Sequence, residues 1–277
     1  MMLSSEVMGE GISDWSRFER LTPFRVRDVL LVASHFDHYL LEESGYLAEI
    51  MQEEYSDLNL SQAPRIIHSP DARDALRLLS AREFDLVITM ARVGEMDVKA
   101  FGTEAKRVIE DLPVVMLSHN TRELATLSAG DGIDRIFVWT GDSRILLSIC
   151  KLIEDERNVE NDVRDGDVQV ILLVEDSRRF YSAYLPLLYT QLVNQTTRLM
   201  GEGGNLHEKL LRLRARAKIL LASDMNSAKS IIDRYHNNII GIFTDGKFPN
   251  QGGQRDTAGL ELVSYAQEGH RYMPILF

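Results

Sequence analysis

Short runs of apolar, β-branched residues alternate with longer amphipathic stretches from residue 29 to the end of the chain. This alternation is typical of βαβ units and predicts parallel sheets flanked by helices, an α/β fold. The runs fall into two series in the same order, which indicates a degenerate tandem duplication. The predicted strands are 29–33, 65–68, 86–89, 114–117 and 136–138 in the first series, and 170–174, 219–222, 239–243 and 274–277 in the second.

A charge-rich segment, residues 154–167, separates the two series and has few large apolar residues. Such a composition favours a linker, so we place the domain boundary within it. We predict an N-terminal extension over 1–25, a first domain over 26–160 and a second over 161–277. The second series stops at its fourth strand, which would leave an apolar sheet edge, so we expect the chain to be a piece of a longer protein.

Composition narrows the classes of protein that are plausible. The 277 residues are 44% hydrophobic and 26% charged, values of an ordinary globular protein of about two domains. The net charge of −11 opposes binding to nucleic acid or to an anionic membrane surface. A single cysteine, Cys150, excludes an internal disulfide, and no apolar segment is long enough for a secretion signal or a membrane span. We therefore expect a cytoplasmic protein.

Three carboxylates follow strands of the second series. Glu175 and Asp176 come directly after its first strand, and Asp245 comes after Thr244 at the end of its third. The carboxyl ends of parallel strands meet at one edge, so these acids should converge and raise each other's pKa unless a cation compensates. Carboxylates with water are the usual ligands of Mg²⁺, and an aspartate beside Mg²⁺ can accept a phosphoryl group. The alternatives are a helix cap at Asp176 and a turn at Asp245.

Three stretches of the second series resemble bacterial response-regulator receiver domains: VILLVEDS at 170–177, FTDGKFP at 243–249 and AGLELV at 258–263. The resemblance implies two flavodoxin-like, doubly wound parallel-sheet domains with strand order 2-1-3-4-5. It implies that Asp245 is the phosphoacceptor and that Glu175, Asp176 and the backbone carbonyl of Lys247 help to hold Mg²⁺. It also implies a histidine kinase or phosphotransfer protein as partner, and a regulatory protein rather than an enzyme.

The first series resembles the same family, most clearly at 85–97 (DLVITMARVGEMD), but has lost the chemistry. Without a carboxylate at the acceptor position no acyl phosphate can form, so the resemblance implies a pseudo-receiver that serves in dimerisation, packing or partner docking. The acidic pair falls on Ala33 and Ser34, the phosphoacceptor on Met90 and the family's lysine on Trp139, while Ser118 keeps the expected hydroxyl.

Other signals leave alternatives open. Residues 180–192 resemble N-terminal regions of phosphoenolpyruvate-synthase-like proteins, so the chain could be the regulatory front of a larger enzyme; a scaffold in which both copies are silent is the third interpretation.

Residues 250–257 predict a longer, mobile loop beside the acids. The basic run at 210–218 favours a solvated helix end over a nucleic-acid contact, and no DNA-binding element is visible. The seven histidines show no metal-ligand spacing.

Overall fold

The first sheet has five strands, all parallel. A computed structural model describes residues 19–43, 63–119, 130, 132–139, 141–142, 144–199, 215–250, 253–269 and 273–277. The strand order is β2-β1-β3-β4-β5, which is the flavodoxin-like order and confirms the predicted fold class. The elements are β1 (Asp28–Val32), α1 (His35–Glu43), β2 (Arg65–Ser69), α2 (Ala72–Ala81), β3 (Leu86–Met90), α3 (Val98–Val108), β4 (Val114–Ser118) and β5 (Arg135–Val138).

The second sheet has the order β11-β8-β6-β7 and is also parallel throughout, so it repeats the first four strands of the same order. The chain enters it through a long helix, α4. The elements are α4 (Arg144–Gly166), β6 (Val170–Val174), α5 (Arg178–Leu199), β7 (Lys218–Ala222), α6 (Met225–Tyr235), β8 (Ile239–Thr244), β9 (Phe248–Asn250), β10 (Gly253–Arg255), α7 (Ala258–Gly269) and β11 (Ile275–Leu276).

Each sheet has its own apolar core. Every residue of β3, β4 and β7 is buried, as expected for central or helix-covered strands of a parallel sheet. Helices α2 and α6 occupy equivalent places after the second strand of each series, and each begins at an aspartate, Asp71 or Asp224, whose side chain accepts a hydrogen bond from a backbone N–H of the first turn. The duplication predicted from the sequence is therefore present in the elements and their order.

The described chain divides into two compact units. Arg25–Ile153 and Arg178–Leu188 form one; Glu154–Ser177, Tyr189–Phe277 and the described residues before Arg25 form the other. The domain limits at residues 26 and 161 stay predictions. Among the described residues, no helix is both long and apolar enough to cross a membrane.

Helix α4 runs through the charge-rich segment without interruption to Gly166. Its acids Asp155 and Asp162 are fully buried. Arg216 donates to both carboxylate oxygens of Asp155, at 2.9 and 2.8 Å, and Nζ of Lys218 lies 2.8 Å from Oδ2 of Asp162. Tyr189 also donates its hydroxyl to Asp155, at 3.0 Å. These charges are thus accommodated by paired burial.

The same pairs correct the prediction for the basic run. Arg216 and Lys218 are 6% and 1% exposed, so they are neither a solvated helix end nor a surface for nucleic acid. Residues 210–214 of that run lie outside the described part of the chain.

In the segment predicted as a longer, mobile loop, the described residues form a short hairpin, and the mobility stays a prediction. Strands β9 and β10 pair antiparallel, with Phe248 opposite Arg255 and Asn250 opposite Gly253. Phe248 is fully buried in the core of the second domain, which anchors the start of the hairpin. Residues 251 and 252 lie outside the described part.

Candidate metal centre

The ends of β6 and β8 bring the predicted acids to one edge of the second sheet. Val174, the last residue of β6, pairs in register with Thr244, the last residue of β8. The backbone N–H of Asp245 donates to the carbonyl of Val174 at 3.0 Å, and that of Glu175 donates to Ala222 at 2.9 Å. These bonds continue the sheet by one residue, so the two acids stand side by side.

Glu175, Asp176 and Asp245 each offer a carboxylate oxygen, and the three oxygens lie within 4.8 Å of one another. The structure thus brings together the three acids predicted as metal ligands. Glu175 is buried, Asp176 is half-buried and Asp245 is exposed. Oε1 of Glu175 accepts from the backbone N–H of Ser177 at 2.9 Å, and Oδ1 of Asp245 accepts from that of Gly246 at 2.7 Å. Glu175 and Asp245 therefore each keep a second carboxylate oxygen for a ligand.

Repulsion among the three carboxylates favours a bound cation. The pKa of Glu175 is raised to about 7, chiefly by burial and also by the nearby charges of Asp245 and Asp176, while the hydrogen bond from the backbone N–H of Ser177 lowers it. A bound cation would reverse the repulsion and favour the ionised form. Three carboxylates are hard oxygen donors, so the residues present fit Mg²⁺ or Ca²⁺ rather than a metal that prefers nitrogen or sulfur.

The remaining predicted ligand, the backbone carbonyl of Lys247, stays a prediction. The Lys247 side chain pairs with Asp256 after the hairpin, with 2.7 Å between Nζ and Oδ1, and both side chains are exposed. The hydrogen bond and the charge of Asp256 raise the pKa of Lys247.

Gly259 is a further residue of the site that sequence reasoning missed. A Cβ at Gly259 would lie only 2.6 Å from the carbonyl oxygen of Asp245. The first turn of α7 therefore packs directly on the backbone of Asp245. The backbone N–H of Gly259 also donates to the carbonyl of Gly246, at 3.1 Å. The glycine of the AGLELV stretch is the feature of the sequence from which this close contact could have been predicted.

The first sheet repeats this geometry without the acids. Val32 pairs with Thr89 as Val174 pairs with Thr244, which makes Met90 the counterpart of Asp245. The threonine hydroxyl donates to the carbonyl of the next residue in both domains, at 3.1 Å in the first and 2.9 Å in the second.

Ala33 and Trp139 of the first domain also have apolar side chains where the resemblance implies charged ones. The backbone N–H of Ala33 donates to Ser69 as that of Glu175 donates to Ala222, so Ala33 is the counterpart of Glu175. Ala33, Met90 and Trp139 are all buried, at 0%, 3% and 5% exposure. Apolar packing thus replaces the carboxylates in the first domain.

Both sheets share one strand order, and one of them carries the acidic edge. The chain is similar in fold to response-regulator receiver domains. The assignment rests on the strand order, the parallel pairing and the repeated register described above.

Comparison with solved structures finds a signal receiver domain, a response regulator and the protein NtrX among those similar to this chain. The signal receiver domain of an HD domain-containing protein from Pseudomonas fluorescens Pf-5 is 21% identical, with a TM-score of 0.35, over 50% of this chain and 94% of that one. NtrX from Brucella abortus is 17% identical, with a TM-score of 0.40, over 59% of this chain and 40% of that one.

A third is a response regulator from Burkholderia pseudomallei with a phosphorylated aspartic acid, a calcium ion and citrate, at 11% identity and a TM-score of 0.34, over 68% of this chain and 95% of that one. No protein-family model matches the chain, and no curated protein matches its sequence.

Proposed function

We propose that the second domain is a signal receiver that accepts a phosphoryl group on Asp245 in the presence of Mg²⁺. The observation that carries this proposal is the convergence of three carboxylate oxygens within 4.8 Å at the carboxyl edge of the second sheet. The donor is a phosphohistidine of a histidine kinase or phosphotransfer protein. The protein is then a regulatory phosphoacceptor rather than an enzyme.

The three acids have different environments, and these suit different roles. Asp245 is exposed, so an incoming phosphohistidine can reach its free carboxylate oxygen. That oxygen attacks phosphorus, a new O–P bond forms, and the N–P bond breaks as the imidazole leaves. Glu175 and Asp176 are more enclosed and would hold Mg²⁺, together with the carbonyl of Lys247. The metal, when bound, supplies charge neutralisation for the phosphoryl oxygens.

The first domain has a different part in this proposal. Its acceptor position is the buried Met90, which has no nucleophilic oxygen, so it cannot be phosphorylated there. We assign it a binding role, in a homodimer or toward a partner protein.

A titration with Mg²⁺ and beryllofluoride, an acyl-phosphate mimic, tests the proposal by amide NMR on the full chain. We expect shifts around Asp176 and Asp245 that disappear in Asp245→Asn and persist in Glu268→Gln, a matched change at an exposed acid outside the cluster. Incubation with a labelled small phosphodonor should label the parent chain and Glu268→Gln, but not Asp245→Asn. Label retained on Asp245→Asn would refute the assignment, as would a folded parent that binds neither ion.

A further inference from the structure

Three imidazole rings gather at the start of helix α1 in the first domain. His35 and His38 lie one turn apart on α1, and His68 lies on β2, where its neighbour across the ladder is Leu31 of β1. The rings of His38 and His68 stack with centroids 3.8 Å apart, and the ring of His35 meets that of His68 edge-on at 5.9 Å. This group, the histidine cluster, is beside Ala33 and Ser34, where the second domain has its acidic pair.

The contacts of two of these rings determine which nitrogen is available. Nε2 of His68 lies 2.8 Å from the carbonyl oxygen of Ala33, and a carbonyl can only accept, so Nε2 carries the proton and Nδ1 has the lone pair. Nδ1 of His38 faces the Glu42 carboxylate at 3.6 Å, an electrostatic contact longer than a hydrogen bond, so Nε2 is the nitrogen turned away from Glu42. Metal-ligating histidines are oriented in this way, with the second ring nitrogen turned to a carbonyl or carboxylate.

We propose that the histidine cluster binds a divalent transition-metal ion of the Zn²⁺ class through His35, His38 and His68. Neutral imidazole nitrogens suit Zn²⁺, Co²⁺, Ni²⁺ or Cu²⁺ and do not suit Mg²⁺, so the two domains would select different metals. Three protein nitrogens leave a fourth position for water or for a ligand from a partner.

Binding requires a local rearrangement. Among the described residues the acids of the second domain are the only group with ligand atoms within 4.8 Å of one another, so the imidazole nitrogens do not yet converge. His35 is exposed, and His38 and His68 are half-buried. Exposed side chains change rotamer rapidly, so His35 can turn toward the pair while the stacked rings open around the ion.

The experiment uses the full chain carrying Asp176→Asn and Asp245→Asn, which removes the acidic cluster as a competing site. Zn²⁺ is titrated by calorimetry, and Co²⁺ is added as a spectroscopic probe of nitrogen ligation. We expect one Zn²⁺ per chain, undiminished by excess Mg²⁺. In a further series His35→Gln should weaken binding by at least about tenfold, the smallest loss seen even for outer-shell changes at metal sites.

His236→Gln is the matched control, because His236 is an exposed histidine of the second domain and is not a member of the histidine cluster. His35 is exposed, so its replacement leaves the fold intact, and thermal unfolding checks this. Equal Zn²⁺ affinity in His35→Gln, His38→Gln and the control would overturn the proposal. Absence of any Zn²⁺ binding by the folded chain would overturn it as well.

Discussion

Replacing Glu175 by glutamine isolates the electrostatic cost of the acidic cluster. Glutamine has the same length and keeps an oxygen that can accept from the backbone N–H of Ser177, but it cannot ionise. In the parent, burial raises the pKa of Glu175 from 4.5 to about 7. Between these values the folded chain holds a proton that the unfolded chain has released, so the free energy of unfolding must fall as the pH rises through this interval.

The size of the effect follows from the pKa difference. At about 1.4 kcal/mol per pKa unit, the change from 4.5 to about 7 corresponds to on the order of 3 kcal/mol. This is an upper limit, because the exposed neighbour Asp245 shows that water reaches the edge. Without metal, Glu175→Gln should therefore be more stable than the parent by up to about 3 kcal/mol at pH 8 and no more stable near pH 4. Saturating Mg²⁺ should stabilise the parent more than the variant, because it binds the folded site.

Urea unfolding in EDTA, from pH 4 to 8, measures the difference in stability between the two chains, in which the titrating groups outside the acidic cluster cancel. Following the amide signals of Leu172 and Val174 separates the unfolding of the second domain from that of the first. A direct titration of the Glu175 carboxyl carbon by NMR should give a midpoint near 7. Parallel stability curves, with a carboxyl midpoint near 4.5, would show that the cluster carries no such cost.

Two further substitutions test the packing around the site and the buried pairs. Gly259→Ala places a Cβ against the carbonyl of Asp245, so we expect a loss of about 1–3 kcal/mol in urea unfolding and weaker Mg²⁺ binding; an unchanged Mg²⁺ affinity would contradict the contact. Asp155→Asn leaves the Arg216 cation buried without its charge partner and should cost about 3–5 kcal/mol, whereas the exposed acid in Glu104→Gln should cost under about 1 kcal/mol.

Much of the fold could be predicted from the sequence because the strands are buried. The five and four predicted strands all form, since runs such as VLLVA and VILLV can be accommodated only in a sheet covered by helices. The acidic cluster was predictable for a related reason. Parallel strands with equal register place the residues that follow them at one edge, whatever the loops do.

The buried ion pairs could not be predicted because composition does not record partners. Residues 154–167 contain acids that look solvated until a cation is brought to them from Arg216 or Lys218, about sixty residues along the chain. The histidine cluster could not be predicted for the same reason, because it joins residues that are distant in the sequence. Only the pairing of β1 with β2 brings His68 to the start of α1, and spacing along the chain gives no sign of it.

The residues at equivalent positions predict that the stability of the two domains depends differently on Mg²⁺. In the second domain, Glu175 is buried beside two like charges, so a bound cation would stabilise the folded state. In the first, Ala33 and Met90 occupy the corresponding positions and remove that repulsion. Under the proposed function we therefore expect Mg²⁺ to stabilise the second domain and to leave the first unaffected. A ligand that binds one folded state in preference to another shifts the equilibrium between them, so on this proposal the second domain would carry the switch.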